Sequence, residues 1–446
     1  MISEPNIASP EPFVLPQVDK WETANGLKVE FVEVGIIPKA YFLLSMNFGS
    51  ADELNSQVWI YRLISDYLKE GTIDLDGNQI ADKAASLGGR FDVNVDDDTL
   101  TISGSVLTEF ATEFIQLIGD IAQKPRFPKE SLTRLRDDML RDLELMKVQP
   151  GVLASATFRG ALYGNSGYGL SLSTPEIIDT FSTRDVSDSY RKFANPNETK
   201  LYVAGMFDKE ALRGAIENTF KEWVGNVGVH TERSLPASSK KIHLLDRKNA
   251  EQSTLAIGLP VITPSDKNYV SLVVMNALLG GSFYSRITLN IREDKGYTYS
   301  PRSMIASHPT SAYWVETADV TTNVTGASIE EIFKEIDLIR DTEPSLEELN
   351  GIKNYVSGSY VMRYTTPGAI IGQLAFLDLH DLDEDWAKNY IAHVVALNPS
   401  DIQQIAKEYL DPSVMTIAVV GDGELIKEEI APFGPIEEVS VESLSP

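Results

Sequence analysis

The chain has 446 residues, with 39 basic and 65 acidic side chains, a formal charge of −26 and no cysteine. This balance argues against nucleic acid, which needs a basic footprint, and against an anionic lipid surface; the missing cysteines exclude disulfides, thiolate zinc sites and cysteine nucleophiles. The length exceeds one ordinary core, so two or more domains are expected, and no apolar run reaches the roughly 20 residues of a membrane span.

Residues 1–17 are proline-rich and read as an extended arm. The start lacks the basic and apolar regions of a secretory signal. A periplasmic location is expected if a signal peptide has been trimmed, and a cytoplasmic one otherwise. Gly26–Val32 alternates as a strand, Tyr41–Phe48 is a second strand, and Asn55–Lys69 reads as a helix. Gln79–Leu87 is a helix stopped by Gly88-Gly89, and Arg90–Val95 with Leu100–Val106 form a hairpin around Asp96-Asp97-Asp98. Leu107–Ala122 and Lys129–Lys147 are long helices, and Thr174-Pro175-Glu176 starts another, with a capping residue followed by proline.

The chain is internally duplicated. Asn195-Pro196-Asn197 precedes the apolar strand Lys200–Gly205, and Asp411-Pro412-Ser413 precedes Thr416–Gly421. One offset, 216 positions, relates Asn195 to Asp411, Gly205 to Gly421 and Asp185-Val186 to Asp401-Ile402. A helical pattern follows each glycine, over Lys209–Trp223 and Glu424–Ile430. The expected class is α+β: two homologous domains, each a mixed, mostly antiparallel sheet with helices packed on one face. The domains span 18–224 and 242–436, joined by an aperiodic linker over 225–241 and followed by a tail over 437–446. Ser345-Leu346-Glu347-Glu348 reads as a capping box opening a helix of the second domain.

The most informative segment is Ile291–Ser300, which sets Arg292 and Tyr299 seven positions apart. Arg292–Lys295 reads as a helix end, Gly296 supplies the positive φ of a helix stop, and Tyr297–Ser300 reads as a strand. A guanidinium and a phenol aimed together suit a carbonyl oxygen that gains negative charge during acyl transfer. An arginine before a glycine stop and a tyrosine in a strand are also ordinary structural features.

With the preceding run Leu278-Leu279-Gly280-Gly281-Ser282-Phe283-Tyr284-Ser285-Arg286-Ile287, this segment resembles the C-terminal half of the M16 (pitrilysin, inverzincin) metallopeptidases. The resemblance extends from about Val18 to Gly434 and implies the fold shared by LuxS and the mitochondrial processing peptidases. It implies that Arg292 and Tyr299 bind substrate beside a zinc ion. In that family the zinc lies on a His-x-x-Glu-His helix of the first half, with a third ligand, Glu, about 76 residues on. Here the corresponding positions hold Arg62, Ser65, Asp66 and Asp142. The five histidines, at 230, 243, 308, 380 and 393, form no such motif. Arg62 and Asp66 stand at i and i+4, so either a salt bridge fills the vacated site or they are unrelated surface charges.

The resemblance therefore implies a metal-free M16B subunit with no cofactor of its own. Its partner is a His-x-x-Glu-His subunit carrying the zinc, in a heterodimer that encloses unfolded peptide substrates. A non-enzymatic scaffold and a stand-alone peptide-binding homodimer are the competing readings. Other motifs carry less. Asp92-x-Asn94-x-Asp96-Asp97-Asp98 begins like a calcium loop but has Asp97 and Ser103 where glycine and a bidentate glutamate belong, so a hairpin turn is expected. Asp378–Asp385, an acidic run around His380, reads as a solvated helix end. Gly164–Gly169 lacks the Lys-Ser/Thr of a phosphate loop and fits a connection between helices; no Gly-x-Ser-x-Gly elbow is present.

Overall fold

The structure is a computed structural model that describes residues 14–165, 167–225 and 228–446. The first half supplies strands β1 (Asp19–Glu22), β2 (Lys28–Glu33), β3 (Lys39–Met46), β4 (Arg90–Val95), β5 (Leu100–Leu107) and β6 (Thr199–Gly205). Its helices are α1 (Ile60–Tyr67), α2 (Gly77–Ser86), α3 (Ala111–Gln123), α4 (Lys129–Met146), α5 (Pro150–Tyr163), α6 (Pro175–Thr180), α7 (Thr183–Phe193) and α8 (Lys209–Phe220). The second half supplies β7 (Ile242–Asp246), β8 (Gln252–Val261), β9 (Arg302–Ser307), β10 (Ala312–Thr321), β11 (Thr416–Gly421) and β12 (Ile436–Val439). Its helices are α9 (Tyr269–Asn276), α10 (Thr325–Asp341), α11 (Leu346–Met362), α12 (Pro367–Leu379), α13 (Glu384–Ala396), α14 (Pro399–Tyr409) and α15 (Gly423–Ile430).

Each half builds a six-stranded sheet, in the orders β1-β2-β6-β3-β5-β4 and β12-β7-β11-β8-β10-β9. The two match position by position from the second strand onward. β2 pairs parallel with β6 as β7 does with β11, and the pairings beyond are antiparallel in both. Only the first strand differs, because β1 runs antiparallel to β2 whereas β12 runs parallel to β7. The expected mixed, mostly antiparallel α+β fold is the one observed.

Alternation sets which face is buried. Along β3, Ala40, Phe42, Leu44 and Met46 are fully buried against the helices of the first half, while Tyr41, Leu43 and Ser45 face the other way. That second face is covered by a helix from the opposite half. Ile370, Ile371 and Leu374 of α12 pack on Val32, Tyr202 and Ala204 of the first sheet. Reciprocally, Phe158, Leu162 and Tyr163 of α5 pack on Ala256, Tyr313, Val315 and Ala418 of the second sheet. α5 and α12 are equivalent elements, opening with Pro150-Gly151 and Pro367-Gly368. The exchange needs close approach at β8. A Cβ on Gly258 would lie 2.8 Å from Phe158 Cζ and 2.1 Å from the Trp314 carbonyl oxygen, so only glycine fits.

Three further contacts tie the halves together. The turns β4–β5 and β9–β10, equivalent tips of the two sheets, meet where His308 Nδ1 lies 3.1 Å from Asp98 Oδ2; Tyr168 donates to Asp98 Oδ1 at 2.7 Å and stacks on the His308 ring at 3.8 Å. The linker is pinned by the buried Asp52, which takes the Thr231 N–H at 3.2 Å and Arg233 at 2.9 Å and lies 3.1 Å from His230 Nδ1. The last residues are not a free tail. The boundary expected between 436 and 437 falls inside β12, and Val439, Val441 and Leu444 then pack on the first core.

Local chemistry corrects four other expectations. The helix expected over Asn55–Lys69 is broken. Trp59 sits at φ 79° and α1 begins after it, because the buried Glu53 carboxylate takes the N–H groups of Trp59 and Tyr61 at 2.8 and 3.0 Å. Tyr297–Ser300 is not a strand; Thr298 makes a single bridge to Val320 and regular pairing starts at Arg302. Ser345 caps Glu348 N–H at 3.1 Å, but Glu348 does not reach back, since both its oxygens accept from Arg286 at 2.7 and 2.8 Å. The acidic run after Phe376 is not wholly solvated. Asp378 accepts from Tyr202 at 2.5 Å and pairs with Lys200 at 2.6 Å, and His380 is buried.

Two buried acids give the fold a pH dependence. Burial pushes Glu53 up to about 8, against the pull of its two backbone N–H donors, and pushes Glu316 well above its ordinary value, against a weaker pull from the Arg302 backbone. Both folded-state values lie above the unfolded one, so the folded chain holds these protons more tightly. The contribution of each is present in full below pH 4.5, the unfolded value; that of Glu53 is lost as pH rises toward 8, and that of Glu316 as pH rises from 4.5 through its raised folded value. The expected result is a thermal midpoint that falls over that window. Glu316→Gln raises the midpoint at about pH 8 and leaves it little changed near pH 4. Thermal melts of both proteins across the window are the check.

Candidate functional site

The four positions matching the zinc motif lie on two packed helices. Arg62, Ser65 and Asp66 are on α1, which lies beside the terminal strand β4, and Asp142 is on α4. The α1 face carrying Ile60, Leu63, Ile64 and Tyr67 is buried in the first core, leaving Arg62 and Asp66 partly exposed. Arg62 Nη2 donates to Asp142 Oδ2, and its guanidinium lies 4.7 Å from the Trp59 ring centre. Asp66 pairs with Lys69 at 3.2 Å, and Ser65 Oγ donates back to the Arg62 carbonyl at 2.8 Å.

The salt bridge considered between Arg62 and Asp66 is therefore not formed. Arg62 reaches across to α4 and Asp66 turns to the next helical turn. A fixed cation occupies one ligand position and ties up the carboxylate of another, while Ser65 has no base to offer. These residues do not fit a zinc ion. Among the described residues, no group of three or more His, Cys, Asp or Glu side chains is placed to hold a metal.

The Arg62–Asp142 pair contributes little stability. Its side chains are 30% and 45% exposed, and ion pairs that wet are worth within about 1 kcal/mol. Arg62→Ala and Asp142→Ala are each expected to change unfolding free energy by no more than about that amount, measured by urea titration. A loss several times larger in either would show the pair to be a structural keystone.

The second cluster lies in the other half. Thr288–Asp294 is a π-helical turn carrying Arg292, and Gly296 ends it at φ 66°, the left-handed conformation expected there. The chain then doubles back, Tyr297 N–H donating to the Ile291 carbonyl at 2.8 Å, and Tyr299 emerges 82% exposed. The structure brings Arg292 and Tyr299 together, the guanidinium carbon 4.9 Å from the phenol ring centre. A second ring, Phe283, lies 4.5 Å from the same carbon. Sequence reading held Phe283 only as part of the resemblance and gave it no role. Glu293 lies 3.3 Å from Arg292 Nε. The base is rigid: Arg286 is held bidentate by Glu348, and Asn290 Nδ2 donates to Glu331 and Glu335 at 2.8 and 2.7 Å. The arrangement presents an arginine and a phenol hydroxyl, both hydrogen-bond donors, on an accessible surface.

Comparison with known proteins gives the following similarities. Residues 180–356 match the family described as peptidase M16 inactive domain. The chain is 19% identical over 412 residues to an uncharacterized zinc protease of Streptomyces coelicolor, with 89% of each protein covered. It is 22% identical over 400 residues to the non-peptidase homolog YmxG of Helicobacter pylori, covering 88% of this chain and 91% of the relative. Its fold superposes on the crystal structure of a peptidase M16 inactive domain from Pseudomonas fluorescens with TM-score 0.84 and 21% identity, over 91% of this chain and 98% of that one.

Proposed function

We propose a role that starts from the family: the chain belongs to the M16 peptidases, in their inactive form, and serves as the metal-free subunit of a heterodimeric zinc endopeptidase. The observation that carries this reading is the contrast between the two clusters. The Arg62–Asp142 ion pair occupies the metal positions and satisfies itself, whereas Arg292 and Tyr299 present donors at the surface. A second support is the interlocking of the halves. With α5 on the second sheet and α12 on the first, the chain is one fastened body, and a chamber around a substrate is built against a second subunit.

The substrates are unfolded peptides or short extended segments, which gain main-chain hydrogen bonds when laid along a sheet edge. A zinc ion held by the partner subunit activates water and polarises the scissile carbonyl. Arg292 donates to the carbonyl region from its guanidinium edge, and the Tyr299 hydroxyl adds a second donor as negative charge develops. Both act in the dimer, across the interface.

The test mixes this chain with the His-x-x-Glu-His M16 protein of the same cell and follows a quenched unfolded peptide. Hydrolysis by the mixture, with none by this chain alone, is the expected result. A stable complex without hydrolysis would favour a scaffold, and tight peptide binding by this chain alone would favour a free-standing clamp.

A further inference from the structure

We propose that Phe283 is a positioning residue for Arg292, its ring holding the guanidinium so that the N–H edge stays directed at a substrate carbonyl. The inference rests on the role given to Arg292 above and extends it to a residue that role does not include.

A phenylalanine that is 59% exposed at a loop tip is not kept there by burial. Its place is fixed from below. Arg286, three residues on, is clamped by both oxygens of Glu348, and Ser285 Oγ donates to Thr288 Oγ1 at 2.9 Å. On the other side of the tip, Gly280 lies so close to the buried Glu316 that a Cβ there would stand 2.5 Å from its Oε2. The loop is thus built to hold Phe283 where it is, with its ring centre 4.5 Å from Arg292 Cζ. Tyr299 lies against the same guanidinium at 4.9 Å.

A free arginine side chain spreads over many rotamers, and ordering it costs conformational entropy. Two rings within cation–π reach of the guanidinium, at 4.5 and 4.9 Å, restrict that freedom, and the N–H bonds of the planar fork lie in its own plane. The two Nη groups of Arg292 have no hydrogen-bond acceptor among the described residues, and Glu293 is its ion-pair partner at Nε. In-plane N–H bonds are the ones a carbonyl oxygen accepts. Phe283 therefore does for Arg292 what a second-sphere carboxylate does for a histidine: it fixes direction.

The experiment uses Phe283→Leu, which keeps bulk but removes the π face, and Phe283→Tyr, which keeps the ring. In the full chain labelled with 15N-arginine, the Arg292 Nε–Hε signal is identified by its loss in Arg292→Ala. The expected result is a clear shift of that signal in Phe283→Leu and little change in Phe283→Tyr. In the assembled heterodimer, Phe283→Leu lowers kcat roughly two- to fivefold with KM less affected, Phe283→Tyr restores it, and Phe283→Leu has no effect when added to Arg292→Ala. An unmoved signal, or an Arg292→Ala defect with Phe283→Leu silent, would overturn the positioning role. A shifted signal with both Phe283→Leu and Arg292→Ala silent in turnover would leave the positioning intact and remove the catalytic role proposed for Arg292.

Discussion

Replacing Arg292 with alanine is expected to lower kcat of the proposed heterodimer by about two to three orders of magnitude, the loss seen when one oxyanion donor is removed from a hydrolase site. The side chain is 21% exposed, lies against the exposed rings of Phe283 and Tyr299, and has an ion-pair partner in Glu293. The effect therefore falls on turnover and not on folding, and the thermal midpoint of the variant stays within a degree or two of the parent, as for most surface changes. Tyr299→Phe removes one hydroxyl while keeping the ring against Arg292, so its kcat falls with the guanidinium still in place. Steady-state kinetics with a quenched peptide, beside thermal melts, read both. Parent-like turnover in the two variants would remove the proposed role for the pair.

The largest stability effect is expected at Phe158→Ala, about 3–5 kcal/mol. Phe158 is 1% exposed, packs edge-on to Tyr313 with centroids 5.5 Å apart, and fills the space that Gly258 leaves open. Truncation leaves a cavity among Leu162, Ala256 and Val315, which rigid strands do not collapse to fill. Because Phe158 belongs to the first half and its partners to the second, the loss is shared. Calorimetry of the variant is expected to show one cooperative transition moved down as a whole. Two transitions, with only one displaced, would mean that the halves unfold independently and that the exchange of α5 and α12 does not join them.

The duplication was legible because its signals are local. Asn195-Pro196 and Asp411-Pro412 are turn dipeptides before apolar strands, and each half repeats them at one spacing. The glycine stop at Gly296 was legible for the same reason, and its φ of 66° agrees. What escaped sequence reading depends on distance along the chain. No element was read over Pro150–Tyr163, and the burial of Phe158 and Leu162 of α5 on the sheet of the other half is a partnership that periodicity does not specify. Arg62 had a neighbour of opposite charge four residues away, yet its partner is Asp142 on another helix. Glu348 stood in the right place for a capping box, and the stronger bidentate bond from Arg286 took it. Tyr297–Ser300 has strand composition without a continuous partner. Phe283 had a place in a motif, but only the folded loop shows what its ring touches.

The proposed division of the site between two proteins is tested most directly by metal content and peptidase activity of this chain purified alone after exposure to zinc. No stoichiometric tightly held zinc is expected, and no hydrolysis of unfolded peptide until a His-x-x-Glu-His subunit is added, since Arg62 and Asp142 occupy each other. One zinc per chain, together with hydrolysis that a chelator abolishes, would contradict it.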